Sequence, residues 1–191
     1  DEVLIASIKT KVHAIDQGVN LIDTAEMYSV PPRAETYGAT ERIIGSWLRR
    51  SGKRSQVVLA TKVAGPGAVL GVTHVRGGNN VLDRRNIIAA VEASLQRLQT
   101  DYIDLYQLHW PSRPTNYFGR LGYQHQDGDQ SVAIEETLLA LSELVRAGKV
   151  RHVGLSNETP WGMRRFLQLA ESAGLERIVS IQNPFSLLNR S

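Results

Sequence analysis

With 191 residues the chain is long enough for one sizeable core and short for two. Hydrophobic residues make up 42% and charged residues 21%, which excludes a disordered chain, and the net charge of +3 comes from scattered Lys and Arg rather than from a basic stripe that would fit nucleic acid. The lack of cysteine excludes a disulfide framework and a thiolate metal site, and no apolar run approaches the ~20 residues that span a bilayer. No signal peptide is visible, so a cytoplasmic protein is expected.

In chain order, residues 3–17 place Val3, Leu4, Ile8, Val12 and Ile15 at helical spacing, with Gly18 as the stop. The strand VNLID follows. A helix over 40–50 presents Ile43, Ile44, Trp47 and Leu48 on one face and stops at Gly52. The strand VVLATKV leads to a loose stretch, 64–81, rich in Gly and Asn. Asp83 then caps a helix whose apolar face is Ile87, Ile88, Val91, Leu95 and Leu98. After the strand YIDLYQLHW comes a second irregular stretch, 111–130. A helix carrying Ile134, Leu138, Leu141 and Leu144 follows and closes near Gly148. The strand HVGLSN leads to Thr159 and Pro160, an N-cap followed by a first-turn proline, and that helix ends by Gly174. The strand IVSIQN is last.

Strands alternating with amphipathic helices imply parallel pairing with right-handed crossovers. A doubly wound nucleotide-binding sheet would carry a Gly-rich phosphate turn after its first strand, and the sequence holds no GxGxxG or GxxxxGK(S/T). Five strands instead end in polar residues, at Asp23, Lys62, His109, Ser156–Asn157 and Gln182–Asn183. Such ends pack poorly unless they share a wet pocket, and in a parallel barrel all strand C-termini open on one face. The expected fold is an incomplete (β/α)8 TIM barrel, strands 2–6 with helices 1–5, as one partial barrel domain over residues 1–191. Against the ~250 residues of a complete barrel, strand 1 and everything beyond strand 6 are expected to be absent.

Asp23, Tyr28, Lys62 and His109 form the constellation that carries chemistry, in D-T-A-E-M-Y, A-T-K and Q-L-H-W. Each has a plain alternative. Asp23 can cap the turn after its strand, Tyr28 can be a half-buried loop aromatic, Lys62 can be solvated, and His109 can be a satisfied core histidine. Together, all aimed at one face, they read as a site. Five apolar or small residues precede Lys62, so a buried ammonium that needs a carboxylate is expected.

A free phenol has a pKa of ~10. A neighbouring ammonium favours the phenolate and is expected to lower that value for Tyr28, with Asp23 holding Lys62 in place and charged. Tyr28 is then a general acid, and His109 hydrogen-bonds a substrate oxygen. The set lacks a nucleophile, so electrons must come from elsewhere, most simply as hydride from a nicotinamide.

The segments GVNLIDTAEMY, LATK, DYIDLYQLHWP, AGKVRHVGLSN and IQNPFSLLNR together resemble the aldo-keto reductases, in their bacterial Tas-like branch. The resemblance runs through nearly the whole chain. It implies a (β/α)8 barrel that reduces aldehydes and ketones to alcohols with NAD(P)H, with Asp23, Tyr28, Lys62 and His109 as its catalytic tetrad. It further implies that Ser156, Asn157 and Gln182 hold the nicotinamide carboxamide, that Trp110 lines the substrate pocket, and that the cofactor is NADP. A small-molecule carbonyl compound is the expected partner, with no nucleic acid and no membrane.

The stretches 64–81 and 111–130 sit where substrate loops usually lie, are expected to be mobile, and hold Tyr117, Phe118, Tyr123 and His125, which can equally pin a loop to the body. His13 and His152 are read as structural or surface residues, and Asp101 and Asp104 as caps of the preceding helix. A metal hydrolase on Asp23, Glu26 and His109 lacks an HxH pair or clustered carboxylates, so no metal is expected. The alternative within the same fold is a non-catalytic nucleotide-binding regulatory protein, or an inactive fragment. Expressed alone, the 191 residues are expected to be poorly soluble and to bind no cofactor.

Overall fold

The computed structural model describes residues 13–67, 72–116, 118, 122–123 and 131–187. Five strands, β1 (Leu21–Asp23), β2 (Val58–Val63), β3 (Ile103–Leu108), β4 (Val150–Ser156) and β5 (Ile178–Gln182), form one sheet in the order β1-β2-β3-β4-β5. Every neighbouring pair is parallel. Four helices return the chain between strands: α1 (Ala39–Ser51), α2 (Arg84–Leu98), α3 (Ile134–Arg146) and α4 (Pro160–Ala173). Of the helix predicted over 3–17, residues 13–16 are helical and residues 3–12 lie outside the described residues.

Local chemistry sets the helix limits where the sequence placed them. The Asp83 carboxylate accepts the Asn86 N–H at 2.7 Å, capping α2. Thr159 accepts the Gly162 N–H at 3.1 Å, with Pro160 in the first turn of α4. The helices α1 and α4 run out into Gly52 (φ 66°) and Gly174 (φ 61°), a left-handed conformation that costs glycine little.

Strand residues Leu59, Val63, Tyr106, Leu108, Val153 and Leu155 meet Ile44, Trp47, Ile87, Val91, Leu138, Leu141 and Phe166 of the helices in one buried layer. At Gly45 a side chain would lie 2.7 Å from the carbonyl carbon of Leu98, so α1 and α2 approach backbone to backbone there.

Asp104 departs from its predicted role as a helix cap. The helix α2 has already ended at Gln99 (φ 53°), and Asp104 is buried within β3. Its carboxylate accepts from Arg54 at 2.7 Å, Leu59 N–H at 2.9 Å and Arg151 at 2.8 Å, tying β2, β3 and β4 together. His13 and His152 are exposed, as expected.

The sheet curls. Adjacent strands lie ~4.8 Å apart, so β1 and β5 would stand roughly 19 Å apart in a flat sheet. Yet the Gln182 amide donates to Asp23 at 3.4 Å, and the Gln107 amide in between donates to Gln182 at 3.2 Å. Only a sheet bent around an axis brings those inward side chains together. The result is half of a barrel, with its strand C-termini on one rim. Among the described residues no helix is long and apolar enough to cross a membrane.

Candidate active site

Asp23 ends β1, Lys62 sits one residue from the end of β2, and both point inward. The Lys62 ammonium is 1% exposed and spends its donors on Asp23 Oδ1 at 2.8 Å, Asp23 Oδ2 at 2.6 Å and the Thr24 carbonyl at 2.8 Å. Burial lowers its pKa from the usual lysine value, and the bond to and charge of Asp23 push partly back. The sequence expectation of a buried cation held by a carboxylate is met.

Tyr28 lies five residues past Asp23, half-buried, its ring edge-on to His109 at 5.6 Å between centroids. Lys62 Nζ lies 5.6 Å from the Tyr28 ring centroid. The four predicted residues are therefore together. The expected pKa shift of Tyr28 is not met: its phenol is raised above the ordinary value, first by burial and then by the Asp23 charge. The reason is geometric. Lys62 is matched by Asp23 in direct contact, so little uncompensated positive charge reaches the phenol.

His109 follows β3 and is 6% exposed, its Nδ1 buried without a partner among the described residues. Burial, and then the Lys62 charge, lower its pKa to about 3. The imidazole is therefore neutral near pH 7, able to donate from one ring nitrogen and accept at the other. Trp110 packs at a tilt on His109 (5.0 Å between centroids) and donates to the Pro66 carbonyl at 3.1 Å. Phe118 meets Trp110 edge-on at 5.7 Å.

A cleft of about 270 Å³ at the rim is lined by Tyr28, Lys62, His109, Ser156, Asn157 and Gln182. Thus the three residues predicted to face a carboxamide share one cavity with Tyr28, Lys62 and His109, while Asp23 stands behind Lys62. Ser156 Oγ donates to the Gln182 carbonyl at 3.0 Å, and the Asn157 amide donates to the His109 carbonyl at 2.9 Å. The Asn157 amide also donates to Ser156 Oγ at 3.1 Å, so the side-chain hydrogens of both residues are engaged within this wall and their oxygens are left as acceptors. An adjoining cleft of about 240 Å³ is walled by Met27, Tyr28, Val30, His109, Trp110 and Phe118. A larger one, about 370 Å³, lies away from the tetrad beside α3 and α4. Of the loop aromatics, Phe118 and Tyr123 are exposed, and Tyr117 and His125 lie outside the described residues.

Sequence reasoning weighed Glu26 only as a metal ligand. Its buried carboxylate is instead taken up by Arg76, the Ala64 N–H and the Tyr37 hydroxyl. Arg113 paired with Glu158, beside Asn157, was also missed. The available signal was an acidic residue amid small and apolar neighbours, with no partner in its own segment.

The aldo/keto reductase family model matches residues 6–191. The chain belongs to the aldo-keto reductase family. It is 54% identical over 181 residues to the protein tas of Escherichia coli (strain K12), covering 94% of this chain and 51% of that protein. With an aldo-keto reductase of Bacillus subtilis (strain 168), YhdN, it shares 39% identity over 188 residues, covering 96% of this chain and 45% of the relative. Among solved structures, a thermostable aldo-keto reductase in complex with the inhibitor epalrestat matches with a TM-score of 0.67 at 30% identity, over 98% of this chain and 53% of that one. The chain thus spans about half the length of these relatives, and its five parallel strands match part of the family's (β/α)8 barrel.

Proposed function

We propose that the protein is a cytoplasmic NADPH-dependent reductase of aldehydes and ketones, with Asp23, Tyr28, Lys62 and His109 as its catalytic residues. The observation that carries this reading is the fully buried Lys62 ammonium, gripped by Asp23 and set beside Tyr28 and His109 in one cleft with Ser156, Asn157 and Gln182.

The nicotinamide, when bound, supplies hydride to the carbonyl carbon. Ser156, Asn157 and Gln182 would hold its carboxamide. Tyr28, whose raised pKa keeps its proton on Oη near neutrality, donates that proton to the carbonyl oxygen. Lys62, matched by Asp23 and 5.6 Å from the Tyr28 ring centroid, offsets only part of the cost of the phenolate left behind. His109, neutral at working pH, orients the carbonyl by hydrogen bonding. Trp110, Phe118 and Met27 give the adjoining cleft an apolar wall, which favours an aromatic or aliphatic group on the substrate.

The test is NADPH oxidation by the full-length gene product with an aromatic aldehyde, wild type against Tyr28→Phe. Turnover is expected to fall by roughly 10²–10⁴-fold, while NADPH affinity is retained. Equal oxidation by the two proteins rejects Tyr28 as the donor. No oxidation by either rejects the enzyme reading and favours a nucleotide-binding regulator.

A further inference from the structure

The Glu26 side chain lies between Asp23 and Tyr28 in sequence and is 0% exposed. Its carboxylate receives Arg76 Nη1 at 2.6 Å to each oxygen, the Ala64 N–H at 2.7 Å and the Tyr37 hydroxyl at 3.1 Å. Its backbone N–H donates to the Lys62 carbonyl at 3.1 Å. Arg76 Nη2 in turn donates to the Ala64 carbonyl at 3.1 Å. The Glu26–Arg76 pair thus grips both polar groups of Ala64, two residues past Lys62, while Glu26 holds the carbonyl of Lys62 itself.

Two further facts separate this from ordinary buried pairing. Arg76 adopts φ 45°, ψ 40°, a left-handed conformation sparsely populated by residues other than glycine, and it persists only where the surroundings enforce it. Tyr28 also has no strand ladder of its own. Its N–H bonds within the turn, to Ala25 at 3.1 Å, so its place is set by the turn that Glu26 anchors.

We infer that Glu26 and Arg76 are positioning residues, fixing Lys62 and Tyr28 against one another without themselves lining the cleft. Resting on the reading of Tyr28 and Lys62 given above, this adds two residues to the site that touch neither substrate nor cofactor. The loss of one charge in the pair leaves the other buried and unmatched, and the ends of β1 and β2 then move separately. A displacement of about 1 Å at a reacting group is enough to cost on the order of 10²-fold in rate.

The experiment compares wild-type full-length protein with Glu26→Gln and Arg76→Lys. It reads kcat, NADPH affinity, the pH profile of kcat/KM, the thermal midpoint, and the titration of Tyr28 followed by NMR of ring-labelled tyrosine. Positioning predicts a fall in kcat of roughly 10–100-fold, assayed well below the thermal midpoint, with NADPH affinity within about threefold of wild type. It also predicts a displaced limb in the pH profile and a displaced Tyr28 titration. A lowered midpoint with kcat, pH profile and Tyr28 titration all unchanged overturns it, since the pair is then structural alone. If the wild type reduces no carbonyl compound, the functional reading fails by itself. The Tyr28 titration still decides this inference: displaced in the variants it stands, unmoved it falls. Arg76→Lys keeps a cation but cannot reach Glu26 and Ala64 with two nitrogens, so it serves if Glu26→Gln does not fold.

Discussion

Asp23→Asn tests the electrostatic arrangement directly, because it keeps the shape of the side chain and removes its charge. At 2.6 Å and an effective dielectric of ~20, the pair is worth about 6 kcal/mol of attraction before desolvation is counted. Removing one partner of a fully buried pair costs ~3–5 kcal/mol. Asp23 is 34% exposed and partly screened by water, so about 2–3 kcal/mol is expected at neutral pH. In the variant only burial and the neutral contacts act on Lys62, and its folded pKa drops further below the unfolded value of ~10.4. Between those two pH values the unfolded chain binds one more proton than the folded one. Stability therefore rises with pH, by up to ~1.4 kcal/mol per unit. The wild type, whose Lys62 is lowered less, shows that slope only over a narrower window just below ~10.4. Denaturant unfolding of the full-length gene product at a series of pH values, followed by tryptophan fluorescence, measures both effects. A variant with wild-type stability at neutral pH and no upward slope toward alkaline pH would refute the claim that Asp23 compensates a buried ammonium.

Four other outcomes are expected. The His109 ring resonances will not titrate between about pH 5 and 8, since its folded pKa is about 3; a midpoint near ~6.5 would show an exposed or paired ring. The same depressed pKa means the unfolded chain binds the extra proton below ~6.5, so His109→Gln should flatten the acid loss of stability between that pH and about 3. Gly45→Ala is expected to destabilise by about 1–3 kcal/mol, because its methyl meets the Leu98 backbone. A gain in stability, as for an open helix position, would place α1 and α2 farther apart. Residues 1–191 expressed alone are expected to self-associate, since Leu21, Val58, Val179 and Ile181 are exposed on the sheet; a monodisperse monomer in light scattering would count against it.

What the sequence made legible is what local rules govern. Asp83 and Thr159 cap helices because the chain carries donor and acceptor within three residues of each other. The polar strand ends stood out because Asp23, Lys62 and His109 interrupt apolar runs, and parallel pairing then carries them to one rim. The same local rule misled at Asp104, whose three partners come from segments remote in sequence. Arg76 was hidden for a related reason. It lies in a Gly-rich stretch with no periodicity, and its partner Glu26 sits 50 positions earlier in the chain.

The sign of the Tyr28 shift shows where residue identity stops and distance begins. A lysine, an aspartate and a tyrosine in one cleft are compatible with a phenol made either more or less acidic. The outcome depends on whether the cation's nearest neighbour is the carboxylate or the hydroxyl. Here Lys62 is within 2.6 Å of Asp23 and 5.6 Å from the centre of the Tyr28 ring. The pair therefore reaches the phenol largely as a dipole, and burial together with the carboxylate decides the direction. A phenol so held keeps its proton until negative charge grows on the oxygen beside it. In the proposed reaction that ties proton donation to hydride arrival, because only then does protonating the oxygen repay the cost of a buried phenolate.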